Sequence, residues 1–294
     1  MHNLPRISIV TPSFNQGHLL EETILSVLGQ RYPELEYIIM DGESTDGSID
    51  VIKKYEKELS YWISEKDHGQ AAAINSGFQK ATGDIMMWLN SDDLLMPGVL
   101  HNIATIARNG NELFIGECMH FRQQPGGPLD AWGSDVANES KTIDLADFDY
   151  VIQPSSFWTR QVWESIGPLN ESLHFAFDWE WFLRCRAQGI NFKYIHKCLS
   201  MYRYHEGHKS SGGGEERRKE ILETYCRFNP DKAKLFALLA DQVRRQPGIG
   251  YRAIRKSLTF FKAGHHYARL LRMAYPGTFG IYTIQDIELL VRML

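Results

Sequence analysis

Two adjacent carboxylates, Asp92 and Asp93, follow an apolar run and are the first candidates for chemistry in this chain. The run, residues 86–89, has the composition of a buried strand, and Asn90 and Ser91 separate it from the acids. Neighbouring carboxylates repel one another, so a protein that keeps them close usually supplies a cation. Oxygen donors favour a hard ion such as Mg²⁺ or Mn²⁺, whose remaining ligands are commonly substrate phosphates. The simpler alternative is that these residues only cap the following helix.

A second pair of acids, Asp178 and Glu180, stands at the start of a predicted helix that ends at Gly189. Residues two apart on a helix point roughly 200° away from one another, so only one of the two acids can face a given site. A carboxylate there could take a proton from a hydroxyl group as its oxygen attacks an electrophile. The alternative is that the acid only stabilises the helix dipole.

The predicted strands bring the candidate residues to one place. They are residues 6–12, 35–40, 61–64 and 85–89, and helices follow the first three. Strand, crossover helix and strand imply parallel pairs, so the strand ends near Thr11, Asp41 and Asp92 meet at one edge of the sheet. Open α/β sheets bind ligands at this edge. Gly69 precedes a helix whose free N–H groups favour an anion there.

Two common nucleotide-binding fingerprints are absent. Neither GxGxxG after the first strand nor GxxxxGK followed by Ser or Thr occurs, so the edge predicts a nucleotide site of another design. Four motifs follow one another instead: residues 9–15 (IVTPSFN), 41–48 (DGESTDGS), 69–71 (GQA) with 75–77 (NSG), and 89–93 (LNSDD). Together they resemble the successive motifs of family 2 glycosyltransferases with the GT-A fold.

The resemblance implies a GT-A type three-layer α/β/α sandwich with a mainly parallel twisted sheet over residues 1–214, followed by a helical C-terminal extension over residues 215–294. It implies inverting transfer of a sugar from a nucleotide-diphosphate-sugar donor, with a UDP-sugar favoured, to a glycan or lipid-linked acceptor in cell-surface polysaccharide synthesis. The donor-binding residues that it implies are Thr11, Pro12, Ser13, Asn15, Asp41, Gly69, Gln70, Asn75, Asn90, Ser91, Asp92 and Arg203. Among them, Asp41 would recognise the base of the nucleotide.

The resemblance also implies a metal and a general base. Asn90 stands where the metal motif usually begins with an aspartate, so Asp92 is the expected ligand of Mn²⁺ or Mg²⁺. His205 would be a second metal ligand or a donor to a phosphate oxygen. By its position in the family's acidic motif, Asp178 matches the general base. The serine and glycine run at residues 210–214 could close over bound donor.

Two other functions compete with sugar transfer. A sugar-nucleotide pyrophosphorylase shares an α/β nucleotide site but binds triphosphate with a glycine-rich, basic loop, and residues 11–17 contain no Lys or Arg. A non-catalytic nucleotide-sugar binding module could keep Asp41 and Asp92 but would not need Asp178.

The segments outside the motifs concern partners. Residues 129–149 are acidic and are predicted to be an irregular, acceptor-side loop region. The formal net charge is −4, yet residues 215–294 alone carry 15 Lys and Arg against 8 Asp and Glu. Eight basic residues and no acid lie between 242 and 272, namely Arg244, Arg245, Arg252, Arg255, Lys256, Lys262, Arg269 and Arg272. This run predicts contact with an anionic membrane surface, and a homo-oligomer contact or a solvated cap through residues 242–294 is the alternative.

The composition agrees with a cytoplasmic protein. Hydrophobic residues make up 43% and charged residues 23% of the chain, as in ordinary globular proteins. Four cysteines without CxxC spacing indicate free thiols in a reducing compartment and argue against a zinc site. We find no signal peptide and no apolar run long enough to span a bilayer. We therefore expect a cytoplasmic protein, with the inner membrane face as its one alternative location, and no nucleic-acid partner.

Overall fold

The structure, a computed structural model, describes residues 4–107, 110–123, 127–205, 209, 213–245 and 264–294. The chain forms two compact units, one of Met1–Lys141 with Val151–Gly212 and one of Thr142–Tyr150 with Gly213–Leu294. The second unit thus also contains residues that precede the end of the sheet. The functional division into residues 1–214 and 215–294 stays a prediction.

The first unit alternates strands and helices. Its elements are β1 (Ile7–Ser13), α1 (Gly17–Leu28), β2 (Leu35–Asp41), α2 (Ser48–Lys54), β3 (Tyr61–Ser64), α3 (Gln70–Lys80), β4 (Ile85–Trp88), β5 (Leu94–Leu95), α4 (Val99–Ile106), β6 (Glu112–Gln123), β7 (Leu129–Gly133), α5 (Val136–Thr142), β8 (Ser156–Thr159), α6 (Arg160–Ile166), α7 (Phe177–Ala187) and β9 (Asn191–Arg203).

One mixed sheet runs through this unit in the order β3-β2-β1-β4-β8-β6-β9-β5, with β7 added to β6. The strands β3, β2, β1 and β4 are mutually parallel, as the sequence predicts. Beyond β4, β8 joins antiparallel to both β4 and β6, while β6 and β9 are parallel. All seven residues of β1 are buried, which is typical of a parallel strand covered on both faces. The α/β fold class is therefore confirmed.

A tryptophan cluster fixes the start of α7 against the end of β4. The rings of Trp88 and Trp158 have centroids 5.3 Å apart, and those of Trp158 and Trp181 are 4.8 Å apart. All three side chains are buried. Large aromatic side chains contribute much of the packing energy of a core. This contact therefore holds Asp178, in the first turn of α7, close in the fold to the strand that precedes Asp92.

The prediction that residues 129–149 are irregular is wrong. The segment contains β7 and α5. Every residue of β7 is exposed, so the sequence has no alternation of buried apolar and exposed polar residues that would predict a strand. Backbone pairing with β6 stabilises it. The carboxylate of Glu117, on β6, accepts hydrogen bonds from the backbone N–H groups of Val136 (3.1 Å) and Ala137 (2.8 Å). A remote side chain thus caps α5, and local sequence does not show it.

The alternative that the two adjacent acids cap the next helix is also wrong. The helix α4 begins at Val99, and its N-cap residue is Gly98. The short strand β5 lies between the acids and this helix and pairs with β9. Asp92 and Asp93 therefore belong to the loop at the edge of the sheet.

The second unit is helical, as predicted for the C-terminal extension. Its helices are α8 (Gly214–Phe228), α9 (Pro230–Arg245), α10 (Gly264–Ala274), α11 (Pro276–Phe279) and α12 (Ile284–Met293). The Lys232 ammonium lies 3.6 Å from the Asp147 carboxylate and also pairs with Asp286. The basic residues Arg252, Arg255, Lys256 and Lys262 lie outside the described residues. No helix in the described ranges combines the length and the apolar character needed to cross a bilayer.

Candidate functional site

The centre of the candidate site is Asp92, in the loop after β4. Its Oδ2 lies 3.0 Å from His205 Nε2 and accepts a hydrogen bond from Gln16 Nε2 at 3.4 Å. The Ser91 hydroxyl donates to Gln16 Oε1. The structure therefore joins three segments at Asp92: the loop after β1, the loop after β4 and the residues just past β9. Of these residues, Gln16 was not expected from the sequence.

Asp93 points into the protein. Its Oδ1 accepts a hydrogen bond from the Arg203 backbone N–H (3.2 Å), and its Oδ2 accepts one from Asn90 Nδ2 (3.4 Å). Its own carbonyl accepts one from the Thr23 hydroxyl (2.8 Å). Burial, reinforced by the neighbouring charge of Asp92, raises the pKa of the Asp93 carboxyl well above its ordinary value. Asp93 thus anchors the loop, and Asp92 is the acid at the rim.

Arg203 serves as a support in this arrangement. Its Nε donates to the Asp92 carbonyl (3.1 Å), and its Nη2 donates to Glu22 Oε2 on α1 (2.6 Å). Its guanidinium lies 4.7 Å from the ring centroid of Phe121, and the side chain is buried. A planar guanidinium with several donors is suited to such bridging. The expected contact of Arg203 with the donor stays a prediction.

The loops after β1 and β2 are tied together by Asp41 and Asn15. Asp41 is buried, and its carboxylate accepts hydrogen bonds from the Ser44 N–H (2.9 Å), the Ser44 hydroxyl (2.6 Å) and the Ser64 hydroxyl (2.7 Å). Asn15 has a φ of 51°, a left-handed conformation that asparagine tolerates well. Its Oδ1 accepts a hydrogen bond from the Thr45 N–H at 2.9 Å.

The residues before Asn15 differ in their burial and in their hydrogen bonds. Thr11 is buried, with its hydroxyl 3.1 Å from the Tyr37 hydroxyl. Pro12 and Ser13 are also buried, and the Ser13 hydroxyl has no hydrogen-bond partner among the described residues. Phe14, by contrast, is 62% exposed. The sequence motif did not single out this aromatic residue, although its exposure at the end of β1 makes it a candidate contact.

Phe14 lies against Gly42, where an added side chain would require Asp67 to move. A Cβ atom at Gly42 would stand 3.3 Å from Phe14 Cδ2 and 2.8 Å from Asp67 Oδ2. Asp67 in turn accepts a hydrogen bond from the Gly69 N–H at 2.8 Å. The glycine of the second motif therefore allows Phe14 and Asp67 to approach one another at the rim.

Gln70 links the Asp92 loop to the start of α7. Its Nε2 donates to Asn90 Oδ1, and its Oε1 accepts a hydrogen bond from Lys209 Nζ, both at 2.8 Å. The Lys209 ammonium lies 5.3 Å from the ring centroid of Phe177, the residue that precedes Asp178. The predicted closing segment at residues 210–214 lies outside the described residues, except for 213 and 214.

The Asn75 side chain forms hydrogen bonds with other residues of the protein. Its side chain donates to the Leu169 carbonyl (3.0 Å) and to Glu171 Oε1 (2.8 Å), and it accepts a hydrogen bond from the Leu169 N–H (2.9 Å). Asn75 is buried in the middle of α3 and fixes the turn after α6. The structure does not bring its amide to the Asp92 loop, and its expected role in donor binding stays a prediction.

The two acids of α7 have different surroundings. Glu180 is 3% exposed, and its two carboxylate oxygens lie 3.1 and 3.0 Å from Arg184 Nε. Arg184 also donates to the carbonyls of Ile166 (2.8 Å) and Pro168 (2.7 Å). Asp178 is partly exposed in the first turn. Only one acid of the pair is thus reachable from solvent to any extent, and it is the predicted base.

The donor atoms around Asp92 suit a hard cation. Within the described part of the chain there is no group of three or more His, Cys, Asp and Glu side chains arranged to hold a metal ion. Asp92 and His205 offer one carboxylate and one imidazole side by side. Mg²⁺ in phosphate-binding sites usually has one or two carboxylate ligands, with water and phosphate oxygens for the rest. The pair therefore fits an ion that is completed by a bound diphosphate.

A cavity of about 260 Å³ lies elsewhere, at the opposite end of β4. Asp84, Arg160 and Glu164 are among its lining residues, and none of the candidate residues lines it. The candidate site is at the rim, where polar groups of the segments that follow β1, β2, β3, β4 and β9 lie.

Comparisons with known proteins identify the family of the chain. The model of the family described as "Glycosyl transferase family 2" matches residues 8–161, just over half of the chain. The chain is 34% identical over 145 residues to TuaG of Bacillus subtilis, a protein named as a teichuronic acid biosynthesis glycosyltransferase; the match covers 48% of this chain and 57% of that protein. It is 22% identical over 276 residues to the GalNAc(5)-diNAcBac-PP-undecaprenol beta-1,3-glucosyltransferase of Campylobacter jejuni, covering 92% and 84% of the two chains.

Solved structures show the same fold. The structure of S. aureus TarS 1-349 in complex with UDP-GlcNAc superposes with a TM-score of 0.59 at 15% identity, covering 98% of this chain and 90% of that one. The mannosyltransferase PcManGT from Pyrobaculum calidifontis, in complex with GDP-Man and Mn²⁺, superposes with a TM-score of 0.62 at 14% identity, covering 99% and 86%. The GT-A fold is thus confirmed, and the chain belongs to glycosyl transferase family 2.

Proposed function

We propose that this protein transfers a sugar, with inversion, from a nucleotide-diphosphate-sugar to a hydroxyl group of a glycan or lipid-linked acceptor. The observation that carries the proposal is the position of Asp92 and His205 at the sheet edge, with Gln70 and Lys209 linking their loop to the helix of Asp178. Hydrogen bonds from Asn90 through Gln70 to Lys209, and the contact of the Lys209 ammonium with the Phe177 ring, therefore connect the candidate diphosphate site to the helix of the candidate base. Two relatives named for teichuronic acid and for an undecaprenol-linked glycan support this class of acceptor.

The donor would lie along the rim with its base near Phe14. An exposed aromatic ring offers a stacking surface for a nucleobase. The Ser13 hydroxyl, buried and without a partner among the described residues, is placed to receive a hydrogen bond from the nucleotide or to donate one. We favour a UDP-sugar, since UDP-GlcNAc is bound in the TarS structure; a GDP-sugar, as in PcManGT, is the alternative.

Asp92 and His205 would hold Mn²⁺ or Mg²⁺. When bound, the ion would neutralise charge on the diphosphate leaving group. Asp93 and Arg203 keep the loop in place for it, because the Asp93 carboxylate accepts a hydrogen bond from the Arg203 backbone N–H and the Arg203 side chain donates one to the Asp92 carbonyl.

Asp178 would accept the proton of the acceptor hydroxyl as its oxygen attacks the anomeric carbon. The Asp178 carboxylate is partly exposed and accepts a hydrogen bond from the Trp179 backbone N–H at 2.8 Å, whereas Glu180 is buried against Arg184. The Trp88, Trp158 and Trp181 cluster holds the helix, so the base has a fixed position relative to the β4 edge.

Our proposal includes binding of the protein to a membrane surface, where a lipid-linked acceptor would be found. Within the described part of α10, Leu270 and Met273 are exposed, Met273 to 78%, and Arg269 and Arg272 lie among them. Exposed apolar residues beside basic ones suit the surface of an anionic bilayer. A location on the cytoplasmic side, at the inner membrane face, follows from this proposal together with the use of a nucleotide sugar.

Incubation with UDP-GlcNAc, UDP-glucose or GDP-mannose in Mn²⁺ tests the proposal. We expect release of the nucleoside diphosphate from at least one donor, and faster release when a lipid-linked sugar is added. Binding without release would favour the non-catalytic module. Pyrophosphate formed from a nucleoside triphosphate and a sugar 1-phosphate, with no diphosphate release from any donor, would favour the pyrophosphorylase.

A further inference from the structure

Four ring side chains form a cluster on the strands next to the site, which we call the β7 aromatic cluster. They are His120 on β6, Trp132 on β7, Tyr202 on β9 and Tyr204 just past β9. The rings of His120 and Trp132 are stacked, with centroids 5.8 Å apart and 18° between their planes. The centroid of Tyr204 lies 5.2 Å from that of Trp132 and 5.1 Å from that of Tyr202. Each ring thus packs against at least one other.

Trp132 is the exposed member of the cluster. It is 42% exposed, whereas the other three rings are half-buried beneath or beside it. Tryptophan is a large apolar residue, and the part of its side chain that is exposed at a strand edge does not contribute to the hydrophobic core. The packed rings behind it hold its orientation, so it presents a flat, rigid face to solvent.

Charged side chains border this face. Arg122 and Asp130 stand opposite one another in the β6–β7 pair, two residues along from His120 and Trp132 respectively. Residues two apart on a strand share one face of the sheet, so Arg122 and Asp130 lie on the side of Trp132. The Arg122 guanidinium lies 5.7 Å from the ring centroid of Tyr204.

This combination matches the chemistry of a pyranose ring. One face of a pyranose carries several polarised C–H groups, which are attracted to the negative face of an aromatic ring. Its equatorial hydroxyl groups point outward, where a carboxylate and a guanidinium can accept and donate hydrogen bonds. A lipid tail would not use the charged groups.

The cluster is continuous with the proposed site through β9. Tyr202 and Tyr204 alternate along the chain with Arg203 and His205, which contact Asp92 at 3.1 and 3.0 Å. Successive side chains of a strand point to opposite faces, so this strand end serves the Asp92 loop with one face and the cluster with the other. We propose that the β7 aromatic cluster binds a sugar unit of the acceptor glycan, with the pyranose ring stacked on Trp132. This inference rests on the proposed function of the same site.

Trp132→Ala, Trp132→Phe and a matched control, Leu129→Ala, test the inference. Leu129 lies on the same strand, is 58% exposed and belongs to the opposite face of the β6–β7 pair. The probes are the methyl glycosides of glucose, galactose, mannose and N-acetylglucosamine, followed by saturation-transfer NMR. We expect saturation of the ring C–H protons of at least one glycoside in the unmodified protein and in Leu129→Ala. Trp132→Ala should raise its dissociation constant roughly two- to tenfold, and Trp132→Phe should raise it less.

Donor turnover separates this inference from the proposed function. Trp132→Ala should release nucleoside diphosphate from the donor in the absence of acceptor at the rate of the unmodified protein. Normal donor turnover, together with no saturation of any glycoside or with equal saturation in Trp132→Ala, overturns the inference alone. A protein that neither binds nor turns over any nucleotide sugar removes the proposed function and the acceptor role with it.

Discussion

Replacing the two acids of α7 one at a time should separate chemistry from stability. Asp178→Asn keeps the shape of the side chain but cannot take the acceptor proton at neutral pH. We expect kcat to fall by about 10²–10⁴ with the dissociation constant of the donor unchanged. Because Asp178 is partly exposed, its replacement should change the melting temperature little.

Glu180→Gln should have the opposite profile, and the structure sets its size. The Glu180 and Arg184 side chains are only 3% and 17% exposed, and both carboxylate oxygens lie within hydrogen-bond distance of Arg184 Nε. A hydrogen bond to a charged group contributes about 1.5–3 kcal/mol, and breaking a buried ion pair outright costs about 3–5 kcal/mol. Glutamine still offers one oxygen, so we expect a loss of about 2 kcal/mol, or roughly 4–8 °C in melting temperature for a domain of this size.

Two measurements on the same preparations decide the matter: thermal unfolding by circular dichroism, and kcat per mole of folded protein. Glu164→Gln, at an exposed position on α6, controls for the loss of a carboxylate and should change neither quantity. A fully active Asp178→Asn removes that residue as the base. Equal losses of kcat in Asp178→Asn and Glu180→Gln would refute the division of roles between them.

Three further outcomes are expected. Asp92→Ala should weaken UDP or GDP binding in Mn²⁺ by about tenfold or more, because one hard oxygen ligand is lost. Calorimetric titration with and without EDTA checks this. If EDTA does not change the affinity of the unmodified protein for either nucleotide, the metal assignment is wrong. Phe14→Ala should weaken nucleotide binding by about tenfold, with Leu25→Ala as an exposed control on α1, and an unchanged affinity would exclude stacking. The unmodified protein should sediment with anionic liposomes, less so at high salt, and deleting residues 242–294 should abolish this binding. Binding that does not depend on lipid charge would rule out the electrostatic account.

Local sequence predicts the parallel half of the sheet well. The strand β3 has the predicted bounds, Tyr61–Ser64. The strands β2 and β4 differ from their predicted bounds by one residue at one end, and β1 differs by one residue at both ends. These strands are buried apolar runs separated by amphipathic helices, so burial and periodicity coincide within short windows. The helix α7 also carries Asp178 and Glu180 in its first turn, as the sequence predicts.

The sequence is silent where a distant partner decides the structure. The strand β7 is exposed along its whole length and depends on β6, and α5 depends on a cap from Glu117. The aromatic partners of Trp132 lie far from it in the sequence, at His120 before it and at Tyr204 after it. Short windows of sequence do not contain such pairings, and only the sheet register brings them together.

The same limit applies inside the motifs. A motif indicates which residues belong to the site, but it does not separate side chains that hold the site from side chains that face a ligand. The polar atoms of Asp41 and Arg203 form hydrogen bonds within the protein, whereas Phe14 is exposed and Asp178 is partly exposed to solvent. A site whose loops are fixed by such internal hydrogen bonds loses little conformational freedom when a donor binds. We therefore expect the buried motif residues to contribute to donor affinity by holding the rim in its binding geometry before the donor arrives.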